Sequence, residues 1–118
     1  MGNPMIKLLR LEGALVFAGL IALYFALGYS WLPFIILFFA PDLSFIAYAL
    51  GPKIGAIVYN TAHFYGTALA LGLAGLVLGL PYGVEIGLVF AAHTGFDRML
   101  GYGLKHFSGF KNTHLGDL

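Results

Sequence analysis

Histidine and carboxylate side chains bind first-row metals through nitrogen and oxygen, and this chain places them inside apolar runs where ionisable groups are costly. His93 and Asp97 stand four residues apart, one helical turn, and so share a helix face. Asn60, His63 and Thr67, at i, i+3 and i+7, mark a second polar stripe. Ala40-Pro-Asp-Leu-Ser44 joins a proline to the carboxylate of Asp42 and a hydroxyl. A mid-helix proline removes one hydrogen bond and kinks the helix, and in lipid the freed carbonyls must find other partners. Glu12 lies about one turn inside the first apolar run.

Carboxylates and imidazoles projecting inward from several helices are how metal sites are built in bundles. The candidate ligands are Asp42, His63, His93 and Asp97, with His114 as a further donor if the C-terminal tail folds under the bundle. This donor set suits Zn, Fe or Mn, and hydrolytic chemistry needs one open position for water. Glu12 would act as a fifth ligand or general base, and Asn60 would orient a ligand by a hydrogen bond. Arg98 and Lys105 would hold a phosphate or carboxylate group of the substrate. The plainer alternative is that His63 pairs with Asp42 and His93 with Asp97, as interhelical glue of about 1 kcal/mol each.

The elements that position these groups follow from composition. Of 118 residues, 60% are hydrophobic and only 9% charged, and mean hydropathy is +0.91. A soluble domain is about a quarter charged, and a disordered one is poor in apolar residues. With no cysteine there is no disulfide, zinc finger, iron–sulfur site or thiol nucleophile. A net charge of +1 gives no footprint for nucleic acid. The expectation is one integral membrane domain over residues 1–118.

A helix needs about 20 mostly apolar residues to cross a bilayer, and four stretches qualify, at about 8–27, 33–50, 53–79 and 84–100. Gly51-Pro52 and Leu80-Pro81 punctuate them. Such short connections predict an all-α, up-down-up-down bundle of four transmembrane helices. Lys7, Arg10, Lys53, Arg98, Lys105 and Lys111 all fall on one side of that arrangement. By the positive-inside rule both termini are cytoplasmic and the protein sits in the cell (cytoplasmic) membrane. The polar groups then share the cytoplasmic half of the bundle. Residues 101–118 read as an interfacial segment, with Leu104, Phe107 and Phe110 toward lipid. Gly75–Gly79 and Gly83–Gly87 match small-xxx-small packing, which serves a monomer or a homo-oligomer equally.

Several stretches together resemble a known family: Leu9-Arg-Leu-Glu-Gly13, Ala40-Pro-Asp-Leu-Ser44, Tyr59-Asn60 with His63, His93-Thr-Gly-Phe-Asp-Arg98, Gly101-Tyr-Gly-Leu-Lys105 and Thr113-His-Leu-Gly116. The chain is similar, over nearly its whole length, to small bacterial membrane proteins catalogued as domain of unknown function 4260. The resemblance implies that Glu12, Asp42, Asn60, His63, His93, Asp97, Arg98 and His114 belong to one shared pattern, and it supplies no activity. Four functions compete. The first is a metal-dependent hydrolase acting on a membrane-associated small molecule or lipid. The others are a haem protein with His63 and His93 as axial ligands, a proton or ion conduit, and a non-catalytic scaffold.

Overall fold

The computed structural model describes residues 4–104, 112–113 and 115–117. It is helical apart from one two-residue ladder. The elements are α1 (Pro4–Ala26), α2 (Trp31–Phe38), a 3₁₀ helix (Ala40–Leu50), α3 (Pro52–Ala62), α4 (Tyr65–Leu78) and α5 (Gly83–Leu100). In the tail β1 (Asn112–Thr113) pairs antiparallel with β2 (Gly116–Asp117).

Two of the expected helices are interrupted. The second is not a single α-helix over 33–50. It begins at Trp31 after Ser30, whose extended backbone makes it the N-cap, and ends at Phe38. Pro41 is the cause: its ring disfavours α conformation at the residue before it, and it has no N–H to donate. The chain continues as eleven residues of 3₁₀ helix, although 3₁₀ runs beyond three or four residues are uncommon and often mark a functional hinge or strain. The third helix, expected unbroken over 53–79, is α3 followed by α4, bent by 50°. His63 closes α3 and Phe64 is extended (φ −111°, ψ 131°). The stripe of Asn60, His63 and Thr67 is therefore divided between two helices. At the intervening turn Gly51 takes φ +111°, which side chains rarely tolerate.

Helix α5 lies at the centre, packed against α1 on one side and α4 on the other, while α3 packs mainly on the 3₁₀ helix. Small residues set these contacts. A Cβ on Gly13 would stand 2.7 Å from the Gly95 carbonyl oxygen and 2.8 Å from the Met99 nitrogen, so α1 and α5 meet backbone to backbone. Gly75 meets Gly83, and Gly72 meets Gly87, across α4 and α5. Gly79 of the expected motif instead caps α4 in a left-handed conformation.

The pattern of burial is the reverse of a soluble protein. Leucines, isoleucines and valines of α1, the 3₁₀ helix and α4 point outward, with Ile46 73% and Val77 79% exposed. Buried positions include Ala56, Ala68, Ala92, His63, His93, Thr94, Asp97 and Arg98. Pro4–Ala26 and Trp31–Leu50 are each long and apolar enough to cross a membrane, and Pro52–Ala62 with Tyr65–Leu78 qualify as a third, bent span. Glu85, Asp97 and Arg98 keep α5 out of that class by composition.

Candidate metal centre

The two interruptions and the central helix bring four donors together. Asp42 stands in the first turn of the 3₁₀ helix. His63 is the C-cap of α3, and His93 and Asp97 lie one turn apart on α5. One ligand atom from each lies within 4.8 Å of all the others. His63 Nε2 is 3.3 Å from Asp42 Oδ1, 3.1 Å from His93 Nε2 and 3.4 Å from Asp97 Oδ2. His93 Nε2 is 3.2 Å from Asp42 Oδ1 and 3.5 Å from Asp97 Oδ2.

Those separations have a direct chemical meaning. Metal–nitrogen and metal–oxygen bonds of about 2.0–2.1 Å, directed tetrahedrally, place the ligand atoms about 3.3–3.4 Å apart. Five of the six separations here fall between 3.1 and 3.5 Å. Simple pairwise ion pairing has no need of this. The His63–Asp42 and His93–Asp97 pairs expected from the sequence are both present, as two contacts of one four-cornered cluster.

Proton accounting points the same way. His63 Nδ1 lies 2.9 Å from the Tyr59 carbonyl oxygen, which can only accept, so Nδ1 carries the proton. Its Nε2 lone pair is thereby aimed into the cluster. With both imidazoles neutral, at most one ring proton, on His93 Nε2, points into a cluster of four electron-pair donors. A cation satisfies all four. The His63–Tyr59 bond is also the usual second contact of a metal-binding imidazole. His93 Nδ1 has no partner at hydrogen-bonding geometry, although the Phe38 backbone is close enough to act on the ring.

Aromatic rings hold the imidazoles in place. Tyr59 stacks on His63 with centroids 3.9 Å apart and planes 12° off parallel, and Phe45 stacks on Tyr59 in turn. The Tyr59 hydroxyl donates to Asp97 Oδ2 at 3.4 Å. Phe38 meets His93 edge to face at 5.0 Å. Tyr59 had no assigned chemistry in the sequence reading. Its signal was the four-residue spacing to His63, which puts both on one face of α3.

Arg98 has a different place from the one expected. It is buried, and its guanidinium donates to the His63 carbonyl oxygen at 2.8 Å and the Tyr102 carbonyl oxygen at 3.0 Å. The α3–α4 break frees the His63 carbonyl, and Arg98 is the partner it finds. These two bonds join the break to the end of α5, in place of the anion contact expected at the mouth.

Glu12 is not in the cluster. Gly13 faces α5, so its neighbour is rotated away, and Glu12 is exposed. The roles of fifth ligand and general base are corrected accordingly. Asn60 is half-buried on α3, three residues before His63. His114 and Lys105 lie outside the described residues.

A cavity of about 490 Å³ adjoins the cluster, with Asp42, His93 and Asp97 in its wall. The Asp42 side chain is 41% exposed, against 0% for His63 and 10% for Asp97, so the cluster opens on the Asp42 side. The geometry does not suit haem. Two nitrogens trans on one metal are about 4 Å apart, whereas these are 3.1 Å apart, with both carboxylates close beside them.

Comparison with known proteins gives one result. No curated protein and no solved structure shows significant similarity to the chain. The profile of one family, described as Domain of unknown function (DUF4260), matches residues 6–118, a span that includes all four clustered donors. The chain belongs to the DUF4260 family.

Proposed function

We propose that this protein is a four-pass protein of the cytoplasmic membrane, with both termini in the cytoplasm, that holds one divalent transition ion between Asp42, His63, His93 and Asp97. It uses that ion for hydrolysis of a membrane-associated substrate. The observation that carries the reading is the set of five ligand-to-ligand separations of 3.1–3.5 Å, which match five of the six edges of a tetrahedral coordination sphere, with Asp42 and Asp97 within 4.8 Å of each other. The outward-facing apolar side chains and the one-sided placement of Lys and Arg support the membrane part. In this reading α5 is the fourth crossing, its polar groups shielded by α1 and α4.

Nitrogen and carboxylate oxygen together favour Zn, Fe or Mn over softer or larger ions. Such an ion would supply Lewis acidity and an activated water at neutral pH. The chain contributes the rest: Tyr59 fixes the His63 tautomer through its carbonyl, and the partly open Asp42 side leaves room for a reactant.

Detergent-purified protein analysed for metals is the test. About one zinc, iron or manganese ion per chain is expected, removable by chelator and restored by the same metal. His93→Ala, which folds around a cavity, should lose it. A folded wild-type protein that takes up none of the three metals refutes the proposal.

A conduit is the second reading, favoured by one observation: Asp42 and His63 stand at the ends of interrupted helices, where transporters place ion sites. Metal-dependent flux into liposomes that disappears with His63→Ala would select it.

A further inference from the structure

The cavity beside the cluster is built for a particular kind of molecule. Three cluster residues, Asp42, His93 and Asp97, form one part of its wall. The remaining lining is Phe38, Phe39, Phe45, Phe96, Leu100 and two tyrosines, Tyr59 and Tyr102. His63, the most enclosed donor, lies behind the other three. A reactant in the cavity therefore meets the open face of the coordination sphere.

Size and charge narrow the choice. A volume of about 490 Å³ lies in the usual range for small-molecule sites and, at about 30 Å³ per water-sized group, holds on the order of fifteen heavy atoms. Among the described residues no lysine or arginine lines it. Arg98, the nearest cation in sequence, has its guanidinium on the carbonyls of His63 and Tyr102. A divalent ion with two aspartates is electrically neutral, and Arg98 behind it adds one positive charge. A phosphate dianion would bring more negative charge into this apolar pocket than that single positive charge offsets, at large cost.

The mouth adds direction. Phe39, Phe45, Leu100 and Tyr102 are exposed, apolar or aromatic, and stand at the rim. In a membrane these side chains face acyl chains, so the cavity opens to lipid.

Resting on the metal reading, we infer that the site takes an apolar, lipid-dissolved molecule through one small head that binds the metal and carries at most one negative charge. It enters sideways from the bilayer between the 3₁₀ helix and α5. Phosphate monoester dianions are not its substrates.

Cobalt(II)-loaded protein in detergent tests this, because cobalt absorption reports coordination directly. The probes are acetohydroxamate, octanohydroxamate and octyl phosphate. Octanohydroxamate and acetohydroxamate should both change the spectrum, and octyl phosphate should not. Leu100→Trp narrows the rim at a half-exposed position and should weaken octanohydroxamate binding at least tenfold while leaving acetohydroxamate unchanged. Comparing variants in one detergent cancels partitioning of the tail into micelles. Phe39→Ala, also at the exposed rim, should instead shift preference toward a longer chain, such as dodecanohydroxamate.

Equal effects of Leu100→Trp on the long and short hydroxamates would overturn the lateral apolar pocket, as would binding of octyl phosphate as tight as octanohydroxamate. Absence of any cobalt spectrum before a probe is added is a different failure. It removes the metal reading itself, and the substrate class with it.

Discussion

Arg98→Met discriminates sharply between an arginine that holds substrate and one that holds the site together. In the structure the guanidinium donates to two backbone carbonyls, of His63 and Tyr102, at 2.8 and 3.0 Å. A hydrogen bond to a charged group contributes about 1.5–3 kcal/mol, so two give an upper value of about 3–6 kcal/mol. Methionine also relieves the desolvation of a buried charge, which offsets part of this. The expected net loss of stability is about 2–4 kcal/mol. Because the His63 carbonyl belongs to a proposed metal ligand, metal affinity should fall about 10–100-fold, the usual effect of removing a supporting contact. Lysine should not restore either property, since one ammonium cannot reproduce the planar fork that spans both carbonyls. Thermal unfolding in detergent, followed with and without added zinc, measures both quantities. If Arg98→Met unfolds and binds metal like the wild type but loses binding of an anionic substrate, the reasoning is wrong and the arginine belongs to the substrate.

Other expectations follow from the same contacts. Metal at about one hundred times its dissociation constant should stabilise the protein by about 2.7 kcal/mol, and chelation should reverse the shift in melting temperature; an unchanged melting curve would contradict a metal seated among these four donors. Tyr59→Phe removes a long 3.4 Å bond to Asp97 while keeping the stack on His63, so stability should change by less than about 1.5 kcal/mol and metal should remain bound. Glu12→Gln should retain full metal occupancy by elemental analysis, because Glu12 is exposed on α1 and not one of the clustered donors. Gly95→Leu should prevent stable folding, since a Cβ there would sit 2.8 Å from the Gly13 carbonyl oxygen and 2.9 Å from the Phe17 nitrogen; a monodisperse, thermally stable variant would show that the α1–α5 contact can separate.

The sequence made the site more legible than the path of the chain around it. Ionisable groups in an apolar run are expensive, so Asp42, His63, His93 and Asp97 stood out by cost alone, and depth along each helix put them at one level. Glu12 passed the same depth test and failed for want of phase information. Its neighbour Gly13 takes the α5-facing position, and nothing local in the sequence says which of the two faces inward. Hydropathy was equally blind to the break after His63. No proline marks it, Gly66 lies just beyond it under the Phe64 ring, and the bend is sustained by contacts from elsewhere, above all Arg98 on the His63 carbonyl. Pro41 did announce a disturbance, but not that a whole 3₁₀ helix would follow. Arg98 was read as an anion holder because a cation near the end of a span looks available, while its actual partners are backbone atoms with no signature in sequence.

The hairpin formed by the 3₁₀ helix and α3 packs mostly on itself, yet it delivers two of the four donors, Asp42 and His63, to a centre whose other half belongs to α5. An ion at that junction would be a rivet as well as a reagent, joining two bodies that glycine contacts elsewhere in the fold do not join. Losing it would loosen the protein at the very seam where the cavity opens, so metal supply could govern how wide the door stands as well as whether any reaction occurs behind it.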